Sequence, residues 1–352
     1  MKLYYPKSHY HKSRPLVFPL LRPFIKGDDF TDTQRIKIYG LSEKDFEFTD
    51  NLEDSDVAIL TMAWNYYVKT KQTNLAISFI QECKSAGKKV IAANTEDFGM
   101  RIPFFENLIV LRYSGYKSKF LKNEFVQPPF IKDPLLTYFN KKTIIERPYS
   151  TKAVVGFCGQ ANPSSLNMAK EILKIAYRNL KFYIRMSPNE PQELLSSSSL
   201  RASILNDIQK SENVISNFIL RKKYRAGVTT NKDSHNTTLQ FYDNMKDSDY
   251  IVCVRGAGNF SIRFYEALAM GRIPVFINTD CALPFHEDID WKKQVVWVDY
   301  EDRHKVAEKV LYFHRRLSEK DFIKLQRSNR KLWEEQLTLR GFFKDFLKFK
   351  MT

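Results

Sequence analysis

The chain has 352 residues, a length that predicts two domains of ordinary size. Hydrophobic residues make up 43% and charged residues 27%, a balance that excludes wholesale disorder and a fibrous repeat. Lysine and arginine number 56 against 40 aspartates and glutamates, so the net charge of +16 favours an anionic partner: nucleic acid, a nucleotide or an anionic membrane surface.

The amino-terminal residues 1–24 are basic but contain no uninterrupted apolar core, so we expect neither a signal peptide nor a membrane span. We therefore predict a cytoplasmic protein. The four cysteines form no CxxC pair, which makes a structural zinc site or a disulfide framework an unfavoured interpretation. Cys158 and Cys253 lie in apolar runs and are predicted to be buried thiols.

Short apolar runs and helical patterns alternate through the first half of the chain. The pattern predicts strands at residues 57–61, 89–93 and 107–112, and a helix at residues 74–86 that ends at Gly87. Strand, helix and strand in this order form a βαβ unit, which implies a parallel sheet. Four prolines then interrupt a basic stretch between residues 127 and 150, which we interpret as the crossing between two domains.

The alternation restarts after this crossing. Strands are predicted at residues 153–158, 181–185, 213–220, 249–254, 273–277 and 295–298. Helices are predicted at residues 164–178, 234–245 and 261–270, and from about residue 302 onward. The fold class is therefore α/β, with two doubly wound, Rossmann-like domains whose ligands bind beyond the carboxyl ends of the strands. We predict domains at residues 1–145 and 146–335 and a last helix at 336–352.

The segment from Tyr250 to Trp291 carries the clearest chemical pattern: a strand, a glycine-bearing turn, a helix, a glycine stop and a second strand. Gly256 and Gly258 let the backbone approach a ligand closely. The helix that begins near Ser261 collects free N–H groups at its start, which suits an anion such as a diphosphate.

Arg263 and Glu266 lie about one helical turn apart and share a face of that helix. A guanidinium there can hold phosphate oxygens with two hydrogen bonds, and a carboxylate one turn deeper can accept both hydroxyls of a ribose. The alternative is a surface ion pair on a helix whose glycines only turn the chain. The residue pattern alone supports the two interpretations about equally.

The sequence RGAGNFSIRFYEALAMGRIPVFI, followed by LPF and IDW, closely resembles the exostosin family of glycosyltransferases over residues 239–299. The resemblance implies a GT-B fold, in which two Rossmann-like domains face an active-site cleft. It also implies metal-independent, inverting transfer from a nucleotide sugar, with UDP favoured over GDP, and no further cofactor. The implied acceptor is a cell-surface polysaccharide or its lipid-linked precursor.

The resemblance also assigns roles to residues. It places Gly256, Ser261 and Arg263 against the diphosphate and Glu266 on the ribose. This chain departs from many members at two positions, where Tyr265 replaces Phe and Arg272 replaces Cys.

Inverting transfer needs positive groups that neutralise the departing diphosphate. Arg263 is our first candidate and Arg255 the second. Arg221 begins a basic run, RKKYR, that either contributes one phosphate ligand or forms a solvated loop. Asp280 follows a strand and is expected to touch the donor sugar.

The reaction also needs a base that deprotonates the acceptor hydroxyl. Glu96 and Asp97 follow the strand KVIAAN, at the edge of the sheet where ligands bind, and are the favoured candidates. His9 and His11, in an aromatic and basic segment, are the others. Each of these residues could equally be structural.

The tail Leu339–Lys350 interleaves phenylalanines with lysines. We expect it to pack back on the first domain, as the last helix commonly does in GT-B enzymes; the alternative is an amphipathic surface that rests on anionic lipid. Two other functions stay open. One is charge-driven nucleic-acid binding, which no RNP, KH, zinc-finger or basic-zipper signature supports, and the other is a retaining GT-B transferase.

Overall fold

The computed structural model describes residues 1–27, 29–221, 227 and 231–350. They form two parallel β-sheets, one of six strands and one of five, each flanked by helices. Loops after the carboxyl ends of the two sets of strands meet between the sheets. The predicted α/β class with two Rossmann-like halves facing a cleft, the GT-B arrangement, is therefore confirmed.

The first sheet is built from the amino-terminal third of the chain. Its strands are β1 (Lys2–Tyr4), β2 (Glu47–Phe48), β3 (Val57–Ile59), β4 (Lys89–Asn94), β5 (Leu108–Arg112) and β6 (Glu124–Val126). Its helices are α1 (Asp32–Tyr39), α2 (Trp64–Lys69) and α3 (Thr73–Ser85). The strand order is β2-β1-β3-β4-β5-β6, and every neighbouring pair is parallel.

The sequence predicted the centre of this sheet. Strands β3, β4 and β5 and helix α3 are confirmed, and α3 buries Ala76, Phe79, Ile80 and Cys83 at the spacing of one helical face. Gly87, at a φ of +68°, follows this helix in the left-handed conformation that glycine adopts without strain. The sequence analysis did not predict β1, β2 and β6, which are two or three residues long; each begins with a charged residue, whereas the equally short β3 lies in an apolar run.

The second sheet follows α4 (Pro134–Phe139). Its strands are β7 (Ala153–Gln160), β8 (Val214–Arg221), β9 (Tyr250–Cys253), β10 (Ile273–Asn278) and β11 (Val296–Asp299). The remaining helices are α5 (Ser165–Tyr183), α6 (Ser197–Gln209), α7 (Asn231–Lys246), α8 (Ile262–Ala269), α9 (Trp291–Gln294), α10 (Val306–Arg315), α11 (Glu319–Leu332) and α12 (Leu339–Lys350). The order β11-β10-β9-β7-β8 is again parallel throughout.

The strand predicted at residues 181–185 is wrong. Helix α5 continues through Tyr183, and helix α6, which the sequence analysis did not predict, follows it before β8. The aromatic and β-branched residues 182–184 are typical of a strand, but Ile184 continues the helical apolar repeat of Leu166, Leu173 and Leu180.

The proline-rich crossing packs on the second half of the protein. Leu135 belongs to a core cluster built from α7, α8 and the strands β9 and β10, and Ile131 and Ile144 pack against the same cluster. The fully buried Arg272 donates a hydrogen bond to Gln326 (3.0 Å) and another to the carbonyl oxygen of Ile145. We therefore propose that the boundary between the domains lies before residue 131 rather than at residue 145.

Helix α12 returns to the first half of the protein. Leu339, Phe342, Phe343, Phe346 and Leu347 belong to the core cluster of the first sheet. The Phe343 ring lies 5.6 Å from that of Phe18 and 5.8 Å from that of Phe130. Apart from the exposed Phe349, the apolar face of α12 is thus buried in protein and is not available to lipid.

All four cysteines are buried, unpaired thiols, as predicted for Cys158 and Cys253. Among the described residues, no helix combines the length and the apolarity that crossing a membrane requires.

Candidate active site between the two sheets

The turn that follows β9 is fixed against a loop of the first half. The backbone N–H of Asn259 donates to the Ser114 hydroxyl at 2.8 Å, and its side-chain amide donates to the carbonyl oxygens of Gly115 (3.1 Å) and Thr279 (2.9 Å). Asn259 is buried, so these hydrogen bonds are shielded from water. The two halves therefore meet at the predicted chemical segment.

Gly258 is required for this contact. A Cβ atom at position 258 would lie 1.9 Å from the carbonyl oxygen of Asp97 and 2.9 Å from the Ser114 hydroxyl. A Cβ atom at position 256, by contrast, would have the Phe260 carbonyl oxygen as its nearest neighbour, at 3.7 Å. The structure thus gives Gly258 a role in the approach of the two halves, where the sequence suggested approach to a ligand.

Replacing Gly258 with alanine is expected to destabilise the closed arrangement by about 1–3 kcal/mol, the usual cost of overpacking. The Cβ must displace the backbone of Asp97, which cannot rotate away as a side chain could. Small-angle scattering should show a larger radius of gyration for Gly258→Ala, and thermal unfolding should begin at a lower temperature. Gly256→Ala is the matched control and should change neither quantity; equal behaviour of the two variants would contradict this role.

The start of helix α8 is open. Ser261 precedes the helix and is half-buried, and its side chain makes no capping hydrogen bond. Ile262, the first helical residue, is exposed. The cleft therefore leaves room beside the amino end of α8, where backbone N–H groups favour an anion.

Arg263 extends from the first turn of α8 across the carboxyl end of β7. Its Nη2 donates to the carbonyl oxygen of Cys158 at 2.9 Å, and its guanidinium lies 4.3 Å from the centre of the Phe157 ring. Its Nε is buried and finds no acceptor among the described residues. Burial lowers the pKa of Arg263, because the guanidinium is surrounded by protein although part of the side chain reaches solvent.

Glu266 lies about one turn further along α8, beside Arg263. The Tyr242 hydroxyl of α7 donates to its Oε1 at 2.9 Å. The Tyr242 ring stacks on that of Tyr138 with centroids 4.6 Å apart, which fixes its position. Burial and the Glu266 carboxylate raise the pKa of Tyr242, so its hydroxyl stays a hydrogen-bond donor.

Arg255 lies at the carboxyl end of β9 and is buried. It reaches into the first half of the protein, where Nη1 donates to the Tyr116 hydroxyl at 3.0 Å. Nη2 donates to Gln192 Oε1 at 3.1 Å. These two contacts leave Arg255 at the junction of the halves rather than beside Arg263.

Arg221 ends β8 and points toward α7. Its Nη2 donates to the carbonyl oxygen of Thr237 (2.7 Å) and to Gln240 Oε1 (3.0 Å). It lowers the pKa of Arg263 by charge repulsion, a smaller effect than burial, so the two cations share one region. The rest of the basic run, residues 222–225, lies outside the described residues.

Asp280 binds the first half of the protein. Its carboxylate accepts hydrogen bonds from the Ser118 backbone N–H (3.2 Å) and from the Ser118 hydroxyl (2.5 Å). Its carbonyl oxygen accepts from the Lys117 N–H at 2.9 Å. In this closed arrangement the carboxylate is engaged with Ser118, whereas the sequence suggested contact with the donor sugar.

Asp97 lies across the junction from the glycine turn. Its carboxylate accepts no hydrogen bond and forms no ion pair within the part of the chain that the structure describes. The surrounding protein raises its pKa above the ordinary value of 3.8, and repulsion from Glu96 adds to this, although the side chain remains exposed. It is thus an unpaired carboxylate with increased basicity at the junction.

Within the described ranges, the other candidates for the base, unlike Asp97, contact polar side chains of the first half. Glu96 pairs with Lys69 and accepts a hydrogen bond from Asn65 at 3.2 Å. His9 is buried, and its Nδ1 lies 3.0 Å from the Tyr67 hydroxyl; burial lowers its pKa. His11 lies 3.0 Å from the Ser13 hydroxyl.

Sequence reasoning missed several polar residues at the junction. Arg178 of α5 lies over the Phe98 ring, 3.5 Å from its centre, and its pKa is lowered by burial and by the nearby Arg255. Gln192 donates to the carbonyl oxygen of Phe98 at 3.2 Å. No sequence signal could identify them, because each contacts Phe98, which lies on the other half of the chain.

Within the described residues, no group of three or more His, Cys, Asp or Glu side chains is gathered closely enough to hold a metal ion.

The comparison with protein families gives a match in the part of the chain that contains helix α8. The exostosin GT47 domain family model matches residues 134–311, a little over half of the chain. The matched range contains β7 to β11 and the turn that starts α8. The resemblance found in the sequence is therefore confirmed.

Individual relatives match over shorter segments. Exostosin-1 of Drosophila melanogaster is 35% identical over 81 residues, which are 22% of this chain and 11% of that protein. A probable glucuronosyltransferase of Oryza sativa subsp. japonica is 40% identical over 62 residues, 18% of this chain and 14% of that protein. A probable β-1,4-xylosyltransferase of Arabidopsis thaliana is 38% identical over 68 residues, 19% of this chain and 16% of that protein.

The matches thus span less than a fifth of these relatives' lengths. Among solved structures, the crystal structure of TarM shares 11% identity at a TM-score of 0.34, covering 74% of this chain and 50% of that chain. A similarity of that size adds nothing to the description of the site.

Proposed function

Since the chain belongs to the exostosin GT47 family, we propose that it is an inverting, metal-independent glycosyltransferase. It moves a sugar from a nucleotide sugar, with a UDP-sugar favoured, to a hydroxyl of a cell-surface polysaccharide or glycolipid precursor. The observation that carries this proposal is the position of Arg263, an enclosed guanidinium with an unsatisfied Nε beside the open start of α8.

The donor site lies between β7, α7 and α8. Arg263 and the N–H groups that start α8 face the diphosphate, and Arg221 supplies further positive charge. Glu266, oriented by the Tyr242 hydroxyl, accepts the ribose hydroxyls. Gly256 and Ser261 leave the backbone accessible at the same place.

Asp97 is the proposed base. Its carboxylate is unpaired among the described residues, is exposed, and has a raised pKa, which are the properties that general-base catalysis needs. Glu96 is held in an ion pair with Lys69 and adds the repulsion that makes Asp97 more basic. His9 is enclosed with Tyr67, and we leave it out of the mechanism.

The proposed reaction is a single displacement at the anomeric carbon. Asp97 takes the proton of the acceptor hydroxyl while the oxygen of that hydroxyl forms the new bond to the anomeric carbon. The bond between the carbon and the diphosphate oxygen breaks, and the leaving group keeps the electron pair. Arg263 and the start of α8 stabilise the negative charge that develops on that oxygen.

The relatives guide the first test. Because their names include glucuronosyl- and xylosyltransferases, UDP-glucuronic acid and UDP-xylose head a panel that also contains other UDP-sugars and GDP-mannose. Calorimetry should detect saturable binding of at least one UDP-sugar and of UDP itself. Binding of none of them would overturn the donor-site assignment. Once an acceptor is found, proton NMR of the product should show an inverted anomeric centre; retention would refute the single displacement.

A further inference from the structure

Helix α5 differs from the other long helices because it buries none of its 19 residues. Its outward side chains are large and apolar: Leu166 is 77% exposed, Leu173 68%, Tyr177 61%, Leu180 53% and the adjoining Ile184 53%. A protein surface in water rarely leaves so many large apolar groups together without a partner. The exposed apolar face of α5 is therefore typical of a binding surface.

These residues form one continuous stripe. Their spacings of seven, four, three and four residues return to the same side of an α-helix. The opposite side contains the half-buried residues, among them Ile175, Arg178 and Phe182, and packs on the protein. The helix thus has apolar side chains on both sides, and several large ones are directed to solvent.

The charged side chains of α5 that lie beside the stripe are all positive. Lys170 and Lys174 are exposed next to it, and Lys181 lies over the Tyr177 ring with its Nζ 4.5 Å from the centroid. Glu171, the one acidic residue of α5, points inward, where the Ser196 and Ser198 hydroxyls donate to it at 2.6 and 2.7 Å. The outward face thus combines apolar side chains with cations and presents no carboxylate.

We propose that this face of α5, the stripe and its lysines, binds the surface of an anionic phospholipid bilayer. The leucines and Ile184 enter the boundary of the acyl chains, the lysines contact the headgroups, and Tyr177 lies at the interface, where amphipathic rings are favoured. A second copy of the chain is the less favourable occupant, because two such faces would bring lysine against lysine.

This surface adjoins the junction of the two halves. Arg178, on the inner side of α5, lies over Phe98, the residue after Asp97. A bilayer at α5 therefore holds the proposed active site close to the headgroups, where the hydroxyl of a lipid-linked glycan is found. Only this last step rests on the proposed function, since bilayer binding requires no donor and no catalysis.

The test is flotation with vesicles in the absence of nucleotide. The wild-type chain should float with vesicles of about 70% phosphatidylcholine and 30% phosphatidylglycerol and not with phosphatidylcholine alone. Binding should fall as salt is raised to about 0.5 M, because headgroup attraction is screened over a few ångströms there. The double variant Leu173→Ser with Leu180→Ser should bind at least about tenfold more weakly, and Lys170→Gln with Lys174→Gln should lose the preference for phosphatidylglycerol.

The matched control is Ile36→Ser with Tyr312→Ser, which removes two apolar side chains of 51% and 65% exposure from α1 and α10. It should float like the wild type, and all variants should keep the wild-type unfolding temperature. Equal flotation of the α5 variants and the wild type would overturn the proposal. So would a wild-type dimer, seen by analytical ultracentrifugation, that the leucine double variant converts to a monomer that never binds vesicles.

Discussion

Replacing Arg263 with alanine is expected to lower the affinity for a nucleotide sugar at least about a hundredfold, because a guanidinium that holds a diphosphate through two charge-assisted hydrogen bonds contributes about 3 kcal/mol or more. The structure explains why the loss should appear in binding rather than in folding. The guanidinium is enclosed, burial lowers its pKa, and its Nε has no acceptor among the described residues. Without a ligand, the enclosed charge of Arg263 lowers the stability of the folded protein.

The measurement is calorimetric titration with UDP and with the best UDP-sugar of the panel. Arg263→Lys keeps the positive charge but loses the planar pair of N–H donors of the guanidinium, so an intermediate loss of affinity is expected. Arg327→Ala is the control, since that exposed guanidinium pairs with Glu146 on the surface. Unchanged affinity in Arg263→Ala, with an unchanged unfolding temperature, would show that the diphosphate binds elsewhere.

The sequence predicted the elements that show an apolar run or a helical repeat of their own. Strands β4, β7 and β10 are apolar runs that are buried along most of their length, helix α3 buries one face, and the structure confirms them. The prediction was wrong at the end of α5, where apolar residues face solvent. The helix was predicted only as far as residue 178, and the aromatic and β-branched residues that follow were assigned to a strand because such residues favour strands.

Only the part of the candidate site that lies on helix α8, in the second half of the chain, could be predicted from the sequence. Arg263 and Glu266 lie on one helix, so their spacing places them together without knowledge of the rest of the fold. Arg255, Asn259 and Asp280 each have a partner more than a hundred residues away in the first half, on loops whose positions depend on how the two sheets meet. That arrangement is a property of tertiary packing, and no local pattern encodes it.

The contacts between the two halves of the protein also bear on the proposed reaction. Asp280 engages Ser118, and Gly258 touches the Asp97 carbonyl, so both halves contribute to one surface around the proposed base. That base therefore comes from the half that does not hold the donor. Because the base and the donor site would lie on different halves, the acceptor and the donor are aligned only when the halves are together. Closing the halves also excludes water from the donor.

Replacing Asp97 with asparagine should lower the turnover rate by about 10²–10⁴-fold, the usual contribution of a general base, and leave UDP binding unchanged. Stability should move in the opposite direction. Burial and Glu96 raise the pKa of Asp97, so the charged form is disfavoured in the folded chain, and the neutral amide of Asp97→Asn removes that cost at neutral pH.

The pH dependence separates this role from a structural one. Turnover by the wild type should rise with pH as Asp97 loses its proton, with a midpoint above the ordinary value of 3.8. The contribution of Asp97 to stability should run the other way, increasing as pH falls through the same midpoint, and Asp97→Asn should lack both dependences. Glu96→Gln provides the comparison: it removes the ion pair with Lys69 while keeping an oxygen that can accept from Asn65, and it should reduce stability more than turnover. If Glu96→Gln abolished turnover while Asp97→Asn did not, the base would be the neighbouring carboxylate, and the electrostatic argument for Asp97 would be wrong.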